Sequence, residues 1–376
     1  MKAAITAASY TQQAKLIGSD ATRYGDFGRD VAISGDTVIV GSSQELIDNS
    51  VLGSAYIFVR SEAGWSQQQR LTVNDLNSGA FFGGSVAIFN DTAIVGAHGA
   101  TVGTTIHQGA AYVYVRSGTT WTQVQKLTAS DGGYEDYFGV AVAFSGDTAI
   151  IGAHNAETDV STDHTGKVYV FVRNGMTWVE QQTLTANDGQ DLDGFGRYLA
   201  IDGDTAVISS HGDDDRGGDS GSAYVFNRSG TVWIQQQKLL AADGATSDNF
   251  GASVDISGDT VIVGAPYHDI GSNGNQGSVY VYLRTGTVWA QQQQLTAADG
   301  LADDTFGVGV TISGSTLAIG APGDAWKGSA YIFERSGTTW TEQQILTASD
   351  GSLYDSFGAS LGISGDMIIA GAPNAS

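Results

Sequence analysis

The stretch Phe138-Gly-Val-Ala-Val-Ala-Phe144, followed by Ser145-Gly-Asp147 and Thr148-Ala-Ile-Ile-Gly-Ala153, decides the fold of this chain of 376 residues. Two short apolar runs joined by Ser-Gly-Asp predict a β-hairpin. The Phe-Gly pair that opens this stretch occurs seven times, 51 to 57 residues apart, at Phe27, Phe82, Phe138, Phe195, Phe250, Phe306 and Phe357. A period of this length indicates an array of one supersecondary unit, because a single unit cannot bury its own apolar faces.

Each unit contains two further runs with the character of strands. In the third unit, a polar loop leads to Lys167–Arg173, the pair Asn174-Gly175 turns the chain, and Trp178–Leu184 follows. No stretch shows helical periodicity. Four strands per unit predict the blades of a β-propeller, with the strands ordered from the axis outward as they occur in the sequence.

Seven units predict an all-β, seven-bladed β-propeller that forms one domain over residues 1–376. The last unit stops at Gly371-Ala-Pro373, after its second strand. Tyr10–Leu16 is similar to Trp233–Leu239, with Tyr10 at the repeated Trp position. We therefore expect the N-terminal segment to supply the outer strand of the last blade and close the ring, with the third strand of that blade near Met1–Ile5.

Two sequence motifs that recur in the units resemble the FG-GAP repeat of integrin α-subunits and of many bacterial extracellular proteins. Phe-Gly opens each unit, and Gly264-Ala-Pro266, Gly320-Ala-Pro322 and Gly371-Ala-Pro373 end second strands. The resemblance implies an extracellular or cell-surface location, of bacterial type, and a role in binding or adhesion. Integrin-type repeats often carry a DxDxDG calcium loop, but a tight turn such as Ser145-Gly-Asp147 offers too few oxygen ligands. We therefore do not expect the calcium sites of integrin-type repeats at these turns.

Composition excludes several classes of partner and site. A net charge of −23 argues against nucleic acid and anionic membranes as partners. The absence of cysteine excludes disulfides, thiolate metal sites and a cysteine nucleophile. No apolar run has the length that membrane insertion requires, and Met1–Thr6 lacks the apolar core of a signal peptide.

Two sets of repeated charged residues are expected to be structural. An Arg before the second hairpin, as in Arg116, should pair with an Asp in the first hairpin, as in Asp91. Asp residues seven and two positions before Phe-Gly, such as Asp131 and Asp136, should accept hydrogen bonds from nearby backbone N–H groups.

Residues that are specific to one unit are the better candidates for binding, and they lie in the loops between strands two and three and between units. Such loops on a rigid scaffold commonly carry specificity. The candidate ligand-binding residues are Asp213, Asp214, Asp215, Tyr267, His268, Trp326 and Tyr134. Asp213, Asp215 and Asp219 share one Gly-rich loop and form the candidate metal site, which a calcium ion would suit.

The sequence favours a non-catalytic module that recognises a protein or cell-surface ligand through this face, with Asp213, Asp214, Asp215, Tyr267 and Trp326 as exposed anchors. One alternative is a lectin-like propeller in which Tyr134, Tyr267 or Trp326 stacks on a sugar. Another is a hydrolase or lyase acting on polysaccharide or phosphoester. A deep axial pocket lined by His and Asp would favour the enzyme. We expect no enzyme activity, because no nucleophile elbow, zinc-binding helix or phosphate-binding loop is present.

Overall fold

The computed structural model describes residues 9–22, 24–47, 49–157 and 164–375. Within these ranges the chain forms six four-stranded antiparallel sheets and two smaller two-stranded sheets. A single 3₁₀ turn, Asp324–Trp326, is the one helical segment of the described residues. It is too short to cross a lipid bilayer.

The strands follow in chain order. The first ten are β1 (Phe27–Ser34), β2 (Thr37–Ser42), β3 (Leu46–Ile47), β4 (Ser50–Val51), β5 (Ser54–Ser61), β6 (Gly64–Leu71), β7 (Phe82–Phe89), β8 (Thr92–Ala97), β9 (Ala110–Ser117) and β10 (Thr120–Leu127). The next eight are β11 (Val142–Ser145), β12 (Thr148–Ala153), β13 (Lys167–Asn174), β14 (Thr177–Leu184), β15 (Leu199–Asp202), β16 (Thr205–Ser210), β17 (Ser222–Ser229) and β18 (Val232–Leu239). The last ten are β19 (Ser253–Ser257), β20 (Thr260–Ala265), β21 (Ser278–Thr285), β22 (Val288–Leu295), β23 (Val310–Ser313), β24 (Thr316–Ala321), β25 (Ser329–Ser336), β26 (Thr339–Leu346), β27 (Leu361–Ser364) and β28 (Met367–Ala370).

The sheets are the blades of a propeller. In each four-stranded sheet the strands are hydrogen-bonded in sequence order, as in β11-β12-β13-β14. The first strands of successive sheets contact one another, so they line the axis and the fourth strands lie outermost. The second strands are buried along their whole length in the first five blades. The predicted all-β propeller of four-stranded blades, with its inner-to-outer strand order, is confirmed.

The predicted number of complete blades is wrong. The structure has six four-stranded blades, and the described part of the seventh unit forms only the two-stranded sheet β27-β28. That sheet contacts β23 on one side and β1 on the other. Residues 9–18 join no sheet, so closure of the ring by an N-terminal strand is not shown. The predicted third strand at Met1–Ile5 lies outside the described residues.

The motif phenylalanines form the apolar centre of the blades. Phe138 is fully buried and packs edge-on against Tyr169 of β13, with ring centroids 5.4 Å apart. The same pair recurs in five other units as Phe27–Tyr56, Phe82–Tyr112, Phe195–Tyr224, Phe250–Tyr280 and Phe306–Tyr331. Edge-to-face packing of this kind adds to the stabilisation that comes from burial.

The two motif glycines meet at the boundary between neighbouring blades. The glycine of Phe-Gly has a positive φ, as at Gly139 (+88°), which favours glycine. Its carbonyl oxygen lies against the Cα of the Gly-Ala-Pro glycine of the preceding unit, where a side chain would overlap it. The facing pairs are Gly41–Gly83, Gly96–Gly139, Gly152–Gly196, Gly264–Gly307, Gly320–Gly358 and Gly371–Gly28.

A glutamine on each outer strand clasps the next blade. Gln69 Oε1 accepts a hydrogen bond from Trp121 N, and Gln69 Nε2 donates one to Trp121 O, both at 2.8 Å. The same double contact joins Gln125 to Trp178, Gln182 to Trp233, Gln237 to Trp289 and Gln293 to Trp340. These clasps hold the rims of adjacent blades together.

The predicted Asp–Arg pairs on the hairpin face are confirmed in four blades. They are Arg60–Asp36, Arg116–Asp91, Arg228–Asp204 and Arg284–Asp259. In the other two blades Arg173 and Arg335 donate instead to the carbonyl oxygens of Gly175 and Gly337. Each pair is partly exposed, so its contribution to stability is about 0–1 kcal/mol.

Candidate binding site

A cavity of about 470 Å³ opens near the propeller axis, and we call it the axial cavity. Its walls come from positions next to the motifs: the residues that flank Phe-Gly and the residues that follow Gly-Ala. The polar and aromatic lining residues are His154, Arg197, Tyr198, His211, Asn249 and Tyr267, and Ala252, Pro266 and Val308 complete the wall. Several different blades therefore contribute to one site.

The imidazoles beside Arg197 are neutral near pH 7. Burial, followed by the nearby Arg197 guanidinium, lowers the pKa of His154 to about 3 and the pKa of His211 to about 4. The same two causes lower the pKa of His98 to about 4. A neutral imidazole donates one hydrogen bond and accepts another. These rings therefore offer both functions without adding positive charge.

Arg197 is the charged group of the axial cavity. Its Nη1 lies 3.4 Å from His154 Nε2, and its guanidinium lies 5.9 Å from the ring centroid of Tyr198. No carboxylate lies among the described lining residues, and none of the described carboxylates forms an ion pair with Arg197. A guanidinium left in this state has donors available for a ligand.

Asn249 and Tyr267 form the blade-five side of the axial cavity. Asn249 Nδ2 donates to the carbonyl oxygen of Asp219 at 3.0 Å, which directs the amide oxygen away from that bond. Tyr267 is 44% exposed and lines the cavity with Pro266. Of the residues predicted to bind ligand, Tyr267 is the one that the structure brings to this cavity.

In the acidic loop of unit four, Asp214 and Asp215 are exposed as the sequence predicts, but Asp213 is not. Asp213 is buried, and its carboxylate pairs with Lys238 Nζ at 2.6 Å. Lys238 also pairs with Asp215 at 2.7 Å and with Asp188 at 2.9 Å. Burial alone would lower the pKa of Lys238, but its hydrogen bonds to these three carboxylates outweigh burial and raise that pKa. The loop is thus tied to the fourth strand of its own blade.

The residues predicted to bind a metal ion are likewise held by contacts within the protein. The carboxylates of Asp213 and Asp215 converge on an ammonium group rather than on an open position, and Asp219 is held through its backbone N–H by Asp214 Oδ1 at 2.7 Å. In the described part of the chain, no group of three or more His, Cys, Asp or Glu side chains is arranged to hold a metal ion.

The other predicted residues lie apart from the axial cavity. His268 is buried, with Nδ1 2.9 Å from Ser278 Oγ and Nε2 3.5 Å from Asp243 Oδ2. Tyr134 and Trp326 are 64% and 62% exposed. Trp326 packs edge-on against another exposed ring, Tyr354, with centroids 6.0 Å apart.

The repeated Asp residues before Phe-Gly are structural, and the prediction of local hydrogen bonds holds for the second set. Asp136 accepts a hydrogen bond from the N–H of Gly133 at 2.6 Å. The equivalent residues also accept from the N–H group three positions earlier in the chain, and they are Asp193, Asp248, Asp304 and Asp355. The first set accepts hydrogen bonds from side chains instead. Asp131, for example, accepts one from the hydroxyl of Tyr169 at 2.6 Å.

Sequence reasoning missed Arg197, Tyr198 and Asn249. A signal was available in the register of the repeats. The residue after Phe-Gly is small or aliphatic in five units (Gly84, Val140, Ala252, Val308 and Ala359) and basic only at Arg29 and Arg197. A charged residue at a position that faces the axis marks a difference between otherwise equivalent blades.

A comparison with known protein families finds the same seven repeats along the chain. Seven stretches match the FG-GAP repeat: 10–58, 65–114, 121–171, 178–226, 233–282, 289–333 and 340–376. The chain belongs to the FG-GAP repeat family. This FG-GAP protein is also similar to human integrin alpha-7, with 30% identity over 167 residues. That match covers 40% of this chain and 14% of the integrin, so the chain spans a small part of that relative.

Solved structures of other propellers share the fold. A candidate 6-phosphogluconolactonase of Bacteroides fragilis NCTC 9343 superimposes with a TM-score of 0.55 at 10% identity, over 86% of this chain and 85% of that one. The periplasmic gluconolactonase of Pseudomonas aeruginosa does so with a TM-score of 0.56 at 14% identity, over 84% of each chain. At these identities the likeness extends to the fold of this FG-GAP protein and not to its chemistry.

Proposed function

We propose that this FG-GAP protein is a non-catalytic binding module that recognises a protein or cell-surface partner through its loop face. This face carries the loops between strands two and three and the loops that connect successive units. An extracellular or cell-surface location is part of the same proposal, in keeping with the family resemblance.

The observation that carries the proposal is an exposed apolar patch at the junction of units six and seven. Trp326, Leu353 and Tyr354 are 62%, 59% and 66% exposed, and the backbone N–H of Tyr354 donates to the carbonyl oxygen of Trp326. The hydrogen bond holds the two loops in register, so the patch is preorganised. Exposed Trp and Tyr side chains are the residue types that dominate the energy of protein interfaces.

Binding to an array of extracellular matrix proteins and glycans tests the proposal. The double variant Trp326→Ser, Tyr354→Ser should lose its protein signals. The matched control is Met176→Ser, Val288→Ser, because those side chains are 69% and 58% exposed on the opposite hairpin face. Loss of signal in the control alone, or unchanged signal in the patch variant, would contradict a loop-face site. Signals confined to glycans would favour the lectin-like alternative.

A hydrolase is the second candidate, because two imidazoles and a guanidinium meet in the axial cavity. Its test is turnover of chromogenic phosphodiester and glycoside substrates. Activity that disappears in both His154→Ala and His211→Ala would support it. The lining supplies hydrogen-bond donors without a carboxylate among the described residues, and this composition is better suited to binding than to acid–base catalysis.

We further propose that the chain forms one seven-bladed ring and that residues 10–16 occupy the outer-strand position of the seventh unit. Gln344 Oε1 accepts from Tyr10 N at 2.8 Å and Gln344 Nε2 donates to Tyr10 O at 2.7 Å, which repeats the clasp found between complete blades. Ser349 N donates to Gln12 Oε1 at 3.1 Å. The first FG-GAP match begins at Tyr10, in the register of the six later matches that begin at Trp.

A further inference from the structure

The geometry points to the axial cavity as a binding site for a carboxylated sugar, with Arg197 holding the carboxylate and Tyr198 and Tyr267 flanking the ring. This site is separate from the patch formed by Trp326, Leu353 and Tyr354, so the inference goes beyond the proposed function. It rests on the charge, the donor set and the size of the cavity.

The charge of the cavity selects an anion. The chain as a whole carries 40 Asp and Glu against 17 Lys and Arg, yet the described residues lining this cavity include one guanidinium and no carboxylate. Several other basic side chains of the loop face are already paired, as Lys126 is with Asp75 and Lys167 is with Asp131. Arg197 instead contacts a neutral imidazole and an aromatic face. A cationic centre inside an acidic surface attracts an anionic ligand and leaves its own donors for that ligand.

The donor geometry favours a carboxylate. The guanidinium is planar and presents paired N–H groups that match the two oxygens of a carboxylate. Nη1 of Arg197 already lies 3.4 Å from His154 Nε2, and this contact limits the rotation of the guanidinium group. A bidentate contact in this position fixes one end of the ligand.

The remaining groups suit a hydroxylated ring. His154 and His211 have Nδ1 atoms that are buried and have no hydrogen-bond partner among the described residues. Those two atoms are enclosed, and His154 Nε2 already lies beside Arg197 Nη1, so the groups open to the hydroxyls of a ligand are His211 Nε2 and the amide oxygen of Asn249. Tyr198 and Tyr267 add two aromatic rings to the lining, against which the C–H side of a sugar can pack. A cavity of about 470 Å³ accommodates a ligand of one or two sugar rings.

Isothermal titration calorimetry with defined probes tests the inference. The probe is methyl glucuronide, the matched neutral probe is methyl glucoside, and acetate presents a carboxylate without a ring. We expect methyl glucuronide to bind at least about tenfold more tightly than either of the other two, because it alone satisfies both the guanidinium and the hydroxyl-binding groups.

Two variants assign the binding to the cavity. Arg197→Gln should weaken methyl glucuronide at least about tenfold, whereas Arg29→Gln, at the equivalent position of unit one and outside the cavity lining, should leave it within about twofold. Tyr267→Ala, at a partly exposed position, should weaken methyl glucuronide more than acetate. Its measurement decides the matter if Arg197→Gln does not fold. Equal affinity for methyl glucoside, unchanged affinity in Tyr267→Ala, or no heat of binding at millimolar probe would overturn the inference.

Discussion

At the residue scale, the FG-GAP motif is explained by the boundary between blades. The Phe of each of the first six units packs against a Tyr of its own third strand, whereas the two glycines belong to neighbouring units that approach each other. At Gly152 a side chain would overlap the carbonyl oxygen of Gly196, so the motif position is restricted by contact rather than by turn conformation. Unit four has Ser209 at this position, which shows that one boundary tolerates a small side chain.

Phe138→Ala tests the core role of the motif phenylalanine. Phe138 is 0% exposed, so its truncation should lower the free energy of unfolding by about 3–5 kcal/mol, from lost burial and from the cavity left behind. Urea denaturation measures the change. The control Phe89→Ala, at a position that is 44% exposed, should cost less than about 1 kcal/mol. Equal losses in the two variants would refute the assignment of Phe138 to the core.

His154 should make the protein less stable in acid. Its folded-state pKa of about 3 lies below the value of about 6.5 expected in the unfolded chain, so the unfolded state binds the proton first. The stabilisation that depends on neutral His154 is therefore complete above about pH 6.5 and is lost as the pH falls towards 3. The free energy of unfolding of the wild type should fall towards that of His154→Gln between pH 7 and pH 4. A difference that stays constant with pH would show that His154 does not titrate in this way.

At the element scale, the fourth strand of blade four holds its acidic loop through Lys238. That ammonium lies between the buried Asp213 and the more exposed Asp188 and Asp215, and it lies 5.3 Å from the ring centroid of Tyr224. A buried carboxylate without its cation is strongly unfavourable, whereas an exposed one is solvated.

Lys238→Met should therefore destabilise the protein by about 3–5 kcal/mol, because Asp213 would remain buried without its partner. Lys126→Met in blade two is the matched control. Among the described residues, Lys126 forms its one ion pair with Asp75, whose side chain is 51% exposed, so the loss of Lys126 should cost less than about 1 kcal/mol. Thermal unfolding of both variants gives the comparison. Similar losses would show that burial of Asp213 does not control the stability of this loop.

The extent to which sequence predicts this molecule differs between its elements. The blades follow from the Phe-Gly period and from turn residues, because the period marks the repeated unit and each turn residue acts on the chain next to it. The burial of Asp213 depends on Lys238, 25 residues away on another strand, and no local pattern indicates that contact. The axial cavity is harder still to predict from the sequence. Arg197 and Tyr267 come from different blades, and they meet only when the sheets are arranged around one axis.

At the scale of the whole molecule, the seventh unit decides whether the ring is continuous. The sheet β27-β28 contacts both of its neighbours, and Ser360 Oγ donates to the carbonyl oxygen of Gly28 at 2.9 Å. The corresponding bond between units five and six joins Ser253 Oγ to Gly307 O at 2.6 Å. These contacts join the seventh unit to the first, which the closed ring proposed above requires.

A double-mutant cycle measures that contribution. Gln344→Ala should cost about 1–3 kcal/mol in the full chain, from two lost hydrogen bonds, and Gln125→Ala at a complete boundary should cost a similar amount. In a chain that lacks residues 1–16, Gln344→Ala should cost close to zero, while Gln125→Ala keeps its effect. A Gln344→Ala penalty that survives the truncation would show that Gln344 acts independently of Tyr10.

The glutamine clasps also bear on how the protein avoids aggregation. An outer strand normally leaves backbone N–H and C=O groups free to pair with a strand of another molecule. In five boundaries between complete blades, a glutamine side chain occupies both backbone groups of the Trp on the next outer strand. Each rim is thereby blocked at one site by its neighbour, so two copies cannot extend their sheets through those groups. The contact that joins two blades therefore also removes one backbone pairing site from an outer strand.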